Sequence, residues 1–232
     1  MNYLIDESAQ QIIAERINRA VAHVLSELPN HGSEEALTPV LGHELMKQTF
    51  EVPDLKVRFS YRQLSKYTEE PNVGADGAFL VKVTNLEATV QKAALFQAKL
   101  LKGLRPVRQL RMEADEMRRL NTQASRMLKQ TNESVAMFYT RREIYVVDAE
   151  WYINVESAFR FQPLSEEHRL ITLGTYLGRW LPRCTRGDRR RDFIDRVEHQ
   201  DGFKEGLTME VITQRPSVLW DQDASELRWK RR

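Results

Sequence analysis

Apolar residues recur at helical spacing from Asp6 to Leu28, where Ile12, Ile13, Ile17, Val21, Val24, Leu25 and Leu28 form one face and Asp6 or Ser8 is available as the N-cap. The Pro29 to Ser33 stretch breaks this helix, and Thr38-Pro39 restarts a second one through Leu41, Leu45 and Met46 to about Phe50, closed by Pro53. Between Leu55 and Leu64 the period changes to two, with Leu55, Val57, Phe59 and Tyr61 alternating against Lys56, Arg58, Ser60 and Arg62, which predicts a half-buried strand. A polar loop covers Thr68 to Gly74. Phe79, Val81 and Val83 mark a second strand, and Ala93 to Leu100 a third after a turn near Asn85 to Thr89, so these two strands are expected to form a hairpin.

Gly103 and Pro106 introduce a long helix to Gln130 whose apolar stripe is Val107, Leu110, Ala114, Met117, Leu120, Ala124, Met127 and Leu128, with Arg108, Arg111, Glu113 and Arg118 outside it. A β-rich stretch follows, Ser134 to Tyr139 and Ile144 to Val155, joined by the polar Thr140 to Glu143 turn. Ile171 to Leu181 reads as a short helix closed by Pro182, and Leu207 to Thr213 as one further strand. The expected fold is α/β: a mixed central sheet of four or five strands, with the Pro106 to Gln130 helix on one face and the N-terminal helices on the other. Residues 1–37 are expected as a helical extension, 38–155 as the core, and 156–232 as an extension packed on that core.

Composition narrows the classes. A chain of 232 residues that is 41% hydrophobic and 29% charged can fill one ordinary globular core. No apolar run approaches the roughly 20 residues of a membrane helix, and Met1 to Asp6 lack the layout of a signal peptide, so a cytoplasmic protein without membrane contact is expected. The single cysteine, Cys184, excludes an internal disulfide and fits a reducing compartment. No histidine lies close to Cys184 in sequence, and the five histidines lack metal-ligand spacing. Overall charge is only +2, but basic residues gather between Arg179 and Arg196 and at Arg228 to Arg232. Acids gather at Glu34, Glu35, Glu44, Glu51, Asp54, Glu69, Glu70 and Asp76.

The chemistry concentrates at the hairpin. Side chains alternate across a strand, so Leu95, Gln97 and Lys99 share one face of the third strand. Asp76 stands at the entry to the neighbouring strand, just after Gly74, where the hairpin brings its carboxylate towards Gln97. A carboxylate, an amide oxygen and a lysine suit phosphodiester hydrolysis, because Mg²⁺ takes oxygen ligands and needs only one or two carboxylates from the protein. Lys99 can orient the attacking water or neutralise charge in the transition state.

The order of elements, with Gly74-Ala75-Asp76 and Gln97-Ala98-Lys99 set within it, resembles the PD-(D/E)xK phosphodiesterase superfamily, and Gln in place of the acid resembles the QxK variant of Mrr-like restriction endonucleases. The resemblance spans roughly Thr38 to Val155 and departs from the family pattern in lacking a Pro-Asp pair. It implies Asp76 as metal-binding aspartate, Gln97 as second ligand, Lys99 as catalytic lysine, and Mg²⁺ or Mn²⁺ as cofactor. It also implies an acid on the helix before the first strand, which points to Glu44 ahead of Glu51, and a glutamate ahead of the aspartate, for which Glu69 and Glu70 compete with Glu70 favoured. The implied activity is hydrolysis of DNA, with RNA left open, by a homo-oligomer or a subunit of a restriction or anti-phage defence complex. Noncatalytic nucleic-acid binding, or assembly within a larger complex, is the alternative.

Each of these residues also has a plainer reading. Asp76 suits a loop entering a strand, Gln97 and Lys99 an edge strand, and Glu44, Glu69 and Glu70 solvated positions. Arg183, Arg186, Arg189, Arg190 and Arg191 could meet phosphates, or form a solvated run with Asp188, Asp192 and Asp195. Tyr139, Tyr145, Trp151 and Tyr152 are expected in the core, as are Met112, Met117 and Met127.

Overall fold

The computed structural model describes residues 4–27, 33–63, 73–86, 88–101, 114–154, 170–182, 186–199 and 204–214. Period-two patterning produces the strands. In β2 (Leu55–Gln63), Leu55, Val57 and Phe59 are buried while Arg58 and Ser60 are exposed. The final strand β8 (Glu205–Thr213) alternates in the same way, burying Leu207, Met209 and Val211.

The sheet has eight strands in the order β1-β2-β8-β3-β4-β5-β6-β7. The others are β1 (Phe50–Val52), β3 (Gly77–Thr84), β4 (Thr89–Leu100), β5 (Ser134–Tyr139), β6 (Ile144–Asp148) and β7 (Ile171–Thr172). Neighbours are antiparallel except β3 with β8 and β4 with β5, so the sheet is mixed. The expected count of four or five fails for two reasons. β1 and β7 are too short to show a period, and β8, expected in an extension beyond residue 155, is hydrogen-bonded between β2 and β3. The last described strand therefore closes the centre of the sheet.

Helices cover both faces. α1 (Glu7–Glu27) and α2 (Glu34–Lys47) pack Ile13, Ile17, Leu37 and Leu41 with Phe79, Phe96, Met137 and Val211. α3 (Ala114–Gln130) packs Leu120, Ala124 and Met127 on the opposite face with Ala78, Leu80, Leu95 and Phe138. Residues 102–113, where the first third of that helix was expected, lie outside the described residues.

Three local expectations change. α2 starts at Glu34 rather than Thr38, with Ser33 in extended conformation as its N-cap and Pro39 inside it. It stops at Lys47, and Phe50 pairs with Val57 across a turn in which Asp54 has φ 64. Ala149–Asn154 is a helix, α4, rather than a continuation of β6, because Ala149 and Tyr152 reach the core at helical spacing. Leu173–Thr175 and the π-helical turn Tyr176–Trp180 form α5, and Arg191–Glu198 forms α6 against the α3 face. Tyr139 and Tyr152 fill the core, and the Tyr139 hydroxyl meets Thr38 Oγ1 at 3.2 Å. Met127 is buried and Met117 packs against the same cluster, whereas Met112 is outside the described residues.

Glu205 opens β8 opposite Gly77, buried beneath α2, where the Tyr61 hydroxyl donates to its carboxylate. Burial raises its pKa above the ordinary glutamate value, only partly offset by hydrogen bonds from Tyr61 and Gln63. A raised carboxyl pKa gives the folded state stability that is complete below the unfolded pKa and is lost as pH rises through the folded one. Glu205→Gln is therefore expected to melt above wild type at pH 8, with the gap closing at pH 4. A gap that is constant between those pH values would contradict the assignment.

Candidate active site at the β3–β4 hairpin

Gly74 places the site. It adopts φ 77, and a Cβ there would lie 2.5 Å from the Gln123 carbonyl oxygen and 2.8 Å from Arg126 Cβ. Only glycine lets the chain reach this close to α3 before entering β3.

Two residues later, Asp76 faces Gln97 across the hairpin. Gly77 pairs with Phe96, and the Asp76 N–H donates to the Phe96 carbonyl at 3.0 Å. The Asp76 carboxylate is fixed by two donors on Oδ2, Gln97 Nε2 at 2.5 Å and the Ala98 N–H at 2.8 Å. Strand alternation turns Gln97 and Lys99 towards α3, the face on which Leu95 packs, while Phe96 and Ala98 point to α1 and α2. Lys99 is half-buried.

Asp76, Gln97 and Lys99 thus line one cavity of about 500 Å³, whose other wall is α3. Arg118, Arg119, Thr122, Gln123 and Arg126 belong to that wall, and Glu35 closes it from α2. The side-chain amide oxygens of two residues in this lining, Gln97 Oε1 and Gln123 Oε1, are buried with no hydrogen-bond partner. Leaving a buried acceptor unmade costs about 1–3 kcal/mol, and both of these residues belong to the lining of the one cavity.

These donors can be tested against the expected cation. Among the described residues, no three His, Cys, Asp or Glu side chains come together as a metal-binding group. One fixed carboxylate, with the Gln97 and Gln123 side chains in the same lining, fits a hard divalent ion that keeps several waters or takes phosphate oxygens.

Glu44 is not in this cavity. Lys47 Nζ lies 2.5 Å from its carboxylate and His23 Nδ1 3.7 Å away, on the α1 side of the helix. Glu35 and Glu44 are nine residues apart, which at 3.6 residues per turn sets them on opposite sides of α2, about 13.5 Å apart along it. Glu51 pairs with Lys56 at 2.5 Å on the β1–β2 hairpin. Glu69 and Glu70 lie outside the described residues, as do Arg183 and Cys184.

Two arginines of the 183–191 cluster serve the fold. Arg186 meets Asp148 at 3.2 Å and stands 5.0 Å from the Trp180 ring centroid. Arg190 pairs with Asp188 at 2.8 Å and donates to the Gln130 carbonyl at 2.6 Å, closing the C-terminus of α3. Burial is the largest single influence on the Asp188 carboxyl and pushes its pKa up, but the hydrogen bonds and charge of Arg190 together hold it below the ordinary aspartate range.

Sequence reading missed Glu35, Gln123 and the α3 arginines. The signal was present as a polar stripe, Arg119, Gln123 and Arg126, one position ahead of the apolar stripe Leu120, Ala124 and Met127. No protein-family model, curated protein or solved structure matches the chain. No described helix is long and apolar enough to cross a membrane.

Proposed function

We propose that this chain is a metal-dependent phosphodiesterase that hydrolyses DNA, with a restriction-endonuclease-like site of the QxK kind. The observation that carries the reading is the convergence of Asp76, Gln97 and Lys99 on one cavity, with the carboxylate fixed opposite the glutamine. Asp76, with the side chains of Gln97 and Gln123, would hold Mg²⁺ or Mn²⁺. When bound, such an ion polarises the scissile phosphate and lowers the pKa of the attacking water.

The chain's own groups do the rest. The Ala98 N–H and Gln97 Nε2 fix the orientation of the Asp76 carboxylate, so it needs no reorganisation when ligands enter. Lys99, on the same strand face as Gln97, presents its ammonium to the reacting phosphate, where it donates to a non-bridging oxygen as negative charge grows. Glu35, in the same lining, would supply a second carboxylate near the ion.

The test is digestion of supercoiled plasmid by the full chain with Mg²⁺, Mn²⁺ or EDTA. Nicked or linear product with either metal, and none with EDTA, is expected. One site cuts one strand, so linear product at early times reports two copies acting together, as a restriction or defence nuclease requires. A second reading, noncatalytic binding, draws on the absence of a three-acid group among the described residues. DNA binding without cleavage in either metal would select it.

The acids separate further. Glu44→Ala is expected to leave the cleavage rate unchanged, whereas Glu35→Ala raises the Mg²⁺ concentration needed for half-maximal cleavage. Initial rates across a Mg²⁺ titration read both, and loss of cleavage in Glu44→Ala would return that residue to the site.

A further inference from the structure

The cavity wall formed by α3 has a charge and spacing that the hydrolytic groups do not use. Among the described residues of the lining, Lys99, Arg118, Arg119 and Arg126 against Glu35 and Asp76 leave two positive charges, as many as the net charge of the whole chain. The other described members, Gln97, Thr122 and Gln123, are polar. Such a lining selects a polyanion with hydrogen-bonding oxygens over an apolar or cationic ligand.

Along α3, Arg119, Gln123 and Arg126 stand at i, i+4 and i+7, within about 60° of one another around the helix at about 100° per residue. The two arginines are exposed, while Leu120, Ala124 and Met127 hold the helix to the sheet. Seven residues at a rise of 1.5 Å separate Arg119 from Arg126 by about 10.5 Å. A duplex strand advances about 3.4 Å per nucleotide along its axis, so with α3 laid along that axis the two guanidiniums match phosphates about three steps apart. Between them lies Gln123, whose carbonyl is the atom that the Gly74 backbone abuts just ahead of Asp76.

We propose that α3 is the phosphate track for the strand to be cut, with Arg119 and Arg126 gripping two phosphates about three steps apart and the stretch between them presented to Asp76 and Lys99. Only the presentation of that stretch rests on the hydrolytic reading. Guanidinium forks bind phosphate oxygens two at a time, which lysine cannot do. Arg118 is set off the stripe and pairs with Asp115 at 2.6 Å. The track assigns DNA to α3, the helix that shares a cavity with Asp76 and Lys99, in place of the 183–191 cluster, of which no described member lines that cavity.

The experiment measures binding, not cleavage. Fluorescence anisotropy of a labelled 20-base-pair DNA duplex is recorded without metal, in full-length Asp76→Ala protein, across a salt series. Adding Arg119→Ala or Arg126→Ala is expected to weaken binding about tenfold and to lower the slope of log affinity against log salt by about 0.9 for each phosphate no longer neutralised. Arg119→Lys and Arg126→Lys should keep the salt slope but recover only part of the affinity. Arg191→Ala, in the alternative cluster, should bind as its parent does. Both arginines are exposed, and unchanged melting temperatures confirm that the variants fold. Unchanged affinity and slope in both alanine variants would overturn the track, as would a loss confined to Arg191→Ala. Tighter binding of an RNA of the same sequence would overturn DNA as the ligand. Wild-type protein that fails to cut, beside alanine variants that fail to bind, would remove the hydrolytic reading and leave the track standing.

Discussion

Asp76→Asn is expected to lower metal-dependent plasmid cleavage by at least about 10²-fold while leaving the melting temperature near that of wild type. The amide keeps an oxygen to accept from the Ala98 N–H, 2.8 Å from Oδ2 in the wild type, so the hairpin retains its local bond. What it loses is the charge, and the Gln97 amino group, 2.5 Å from the same oxygen, confronts a less favourable partner. Removing one preorganised electrostatic interaction from a reacting centre costs roughly 10² to 10³ in rate. Lys99→Met should fall by a similar factor, because its half-buried stem is replaced by a chain of like volume without the ammonium. Initial rates of nicking, measured beside thermal melts, separate a chemical loss from unfolding. Variants that cut at wild-type rates would remove these residues from catalysis.

Gly74→Ala should produce the largest change in stability. The residue lies at φ 77, where a side chain costs about 1–2 kcal/mol. Its new methyl would sit 2.5 Å from a backbone oxygen and 2.8 Å from Arg126 Cβ, neither of which can swing aside like the tip of a long side chain. Overpacking of this kind costs about 1–3 kcal/mol more, for a total of about 2–5 kcal/mol. Urea unfolding reads it as a lower midpoint at unchanged slope. The relief available is for α3 to move away from the segment that carries Asp76 into β3, so cleavage should fall even though Gly74 is not among the residues lining the cavity. An unchanged midpoint would show that the close approach is dispensable.

These two expectations draw on different levels of the chain. Period-two patterning in Leu55–Gln63 and the apolar face of Glu7–Glu27 could be read directly, because each buries one face against a partner whatever that partner is. The same alternation put Gln97 and Lys99 on one side of their strand, and a short turn between two strands brought Asp76 opposite Gln97. Those are local consequences of geometry.

Register and crossing order are not local. Nothing in Glu205–Thr213 announces that it lies between β2 and β3, since a strand's alternation does not name its neighbours. Helical Ala149–Asn154 looked like strand because a short apolar run serves either period. Glu44 looked right as an acid on the correct helix, and only the rotation of α2 against the sheet decided that Glu35 faces the cavity while Glu44 faces Lys47 and His23.

Alternation and amphipathic spacing alone settle the strand face shared by Gln97 and Lys99, the hairpin beside it, and the helices that must cover a sheet. Which helix face meets that hairpin depends on how the elements pack. Gly74 allows α3 to close on it, and that approach makes Arg119, Gln123 and Arg126, which read in the sequence as the outer side of a helix, into the wall of a cavity. The physical reason is that periodicity records which side of an element is buried, whereas the groups that converge across a cavity are set by packing between elements distant in sequence.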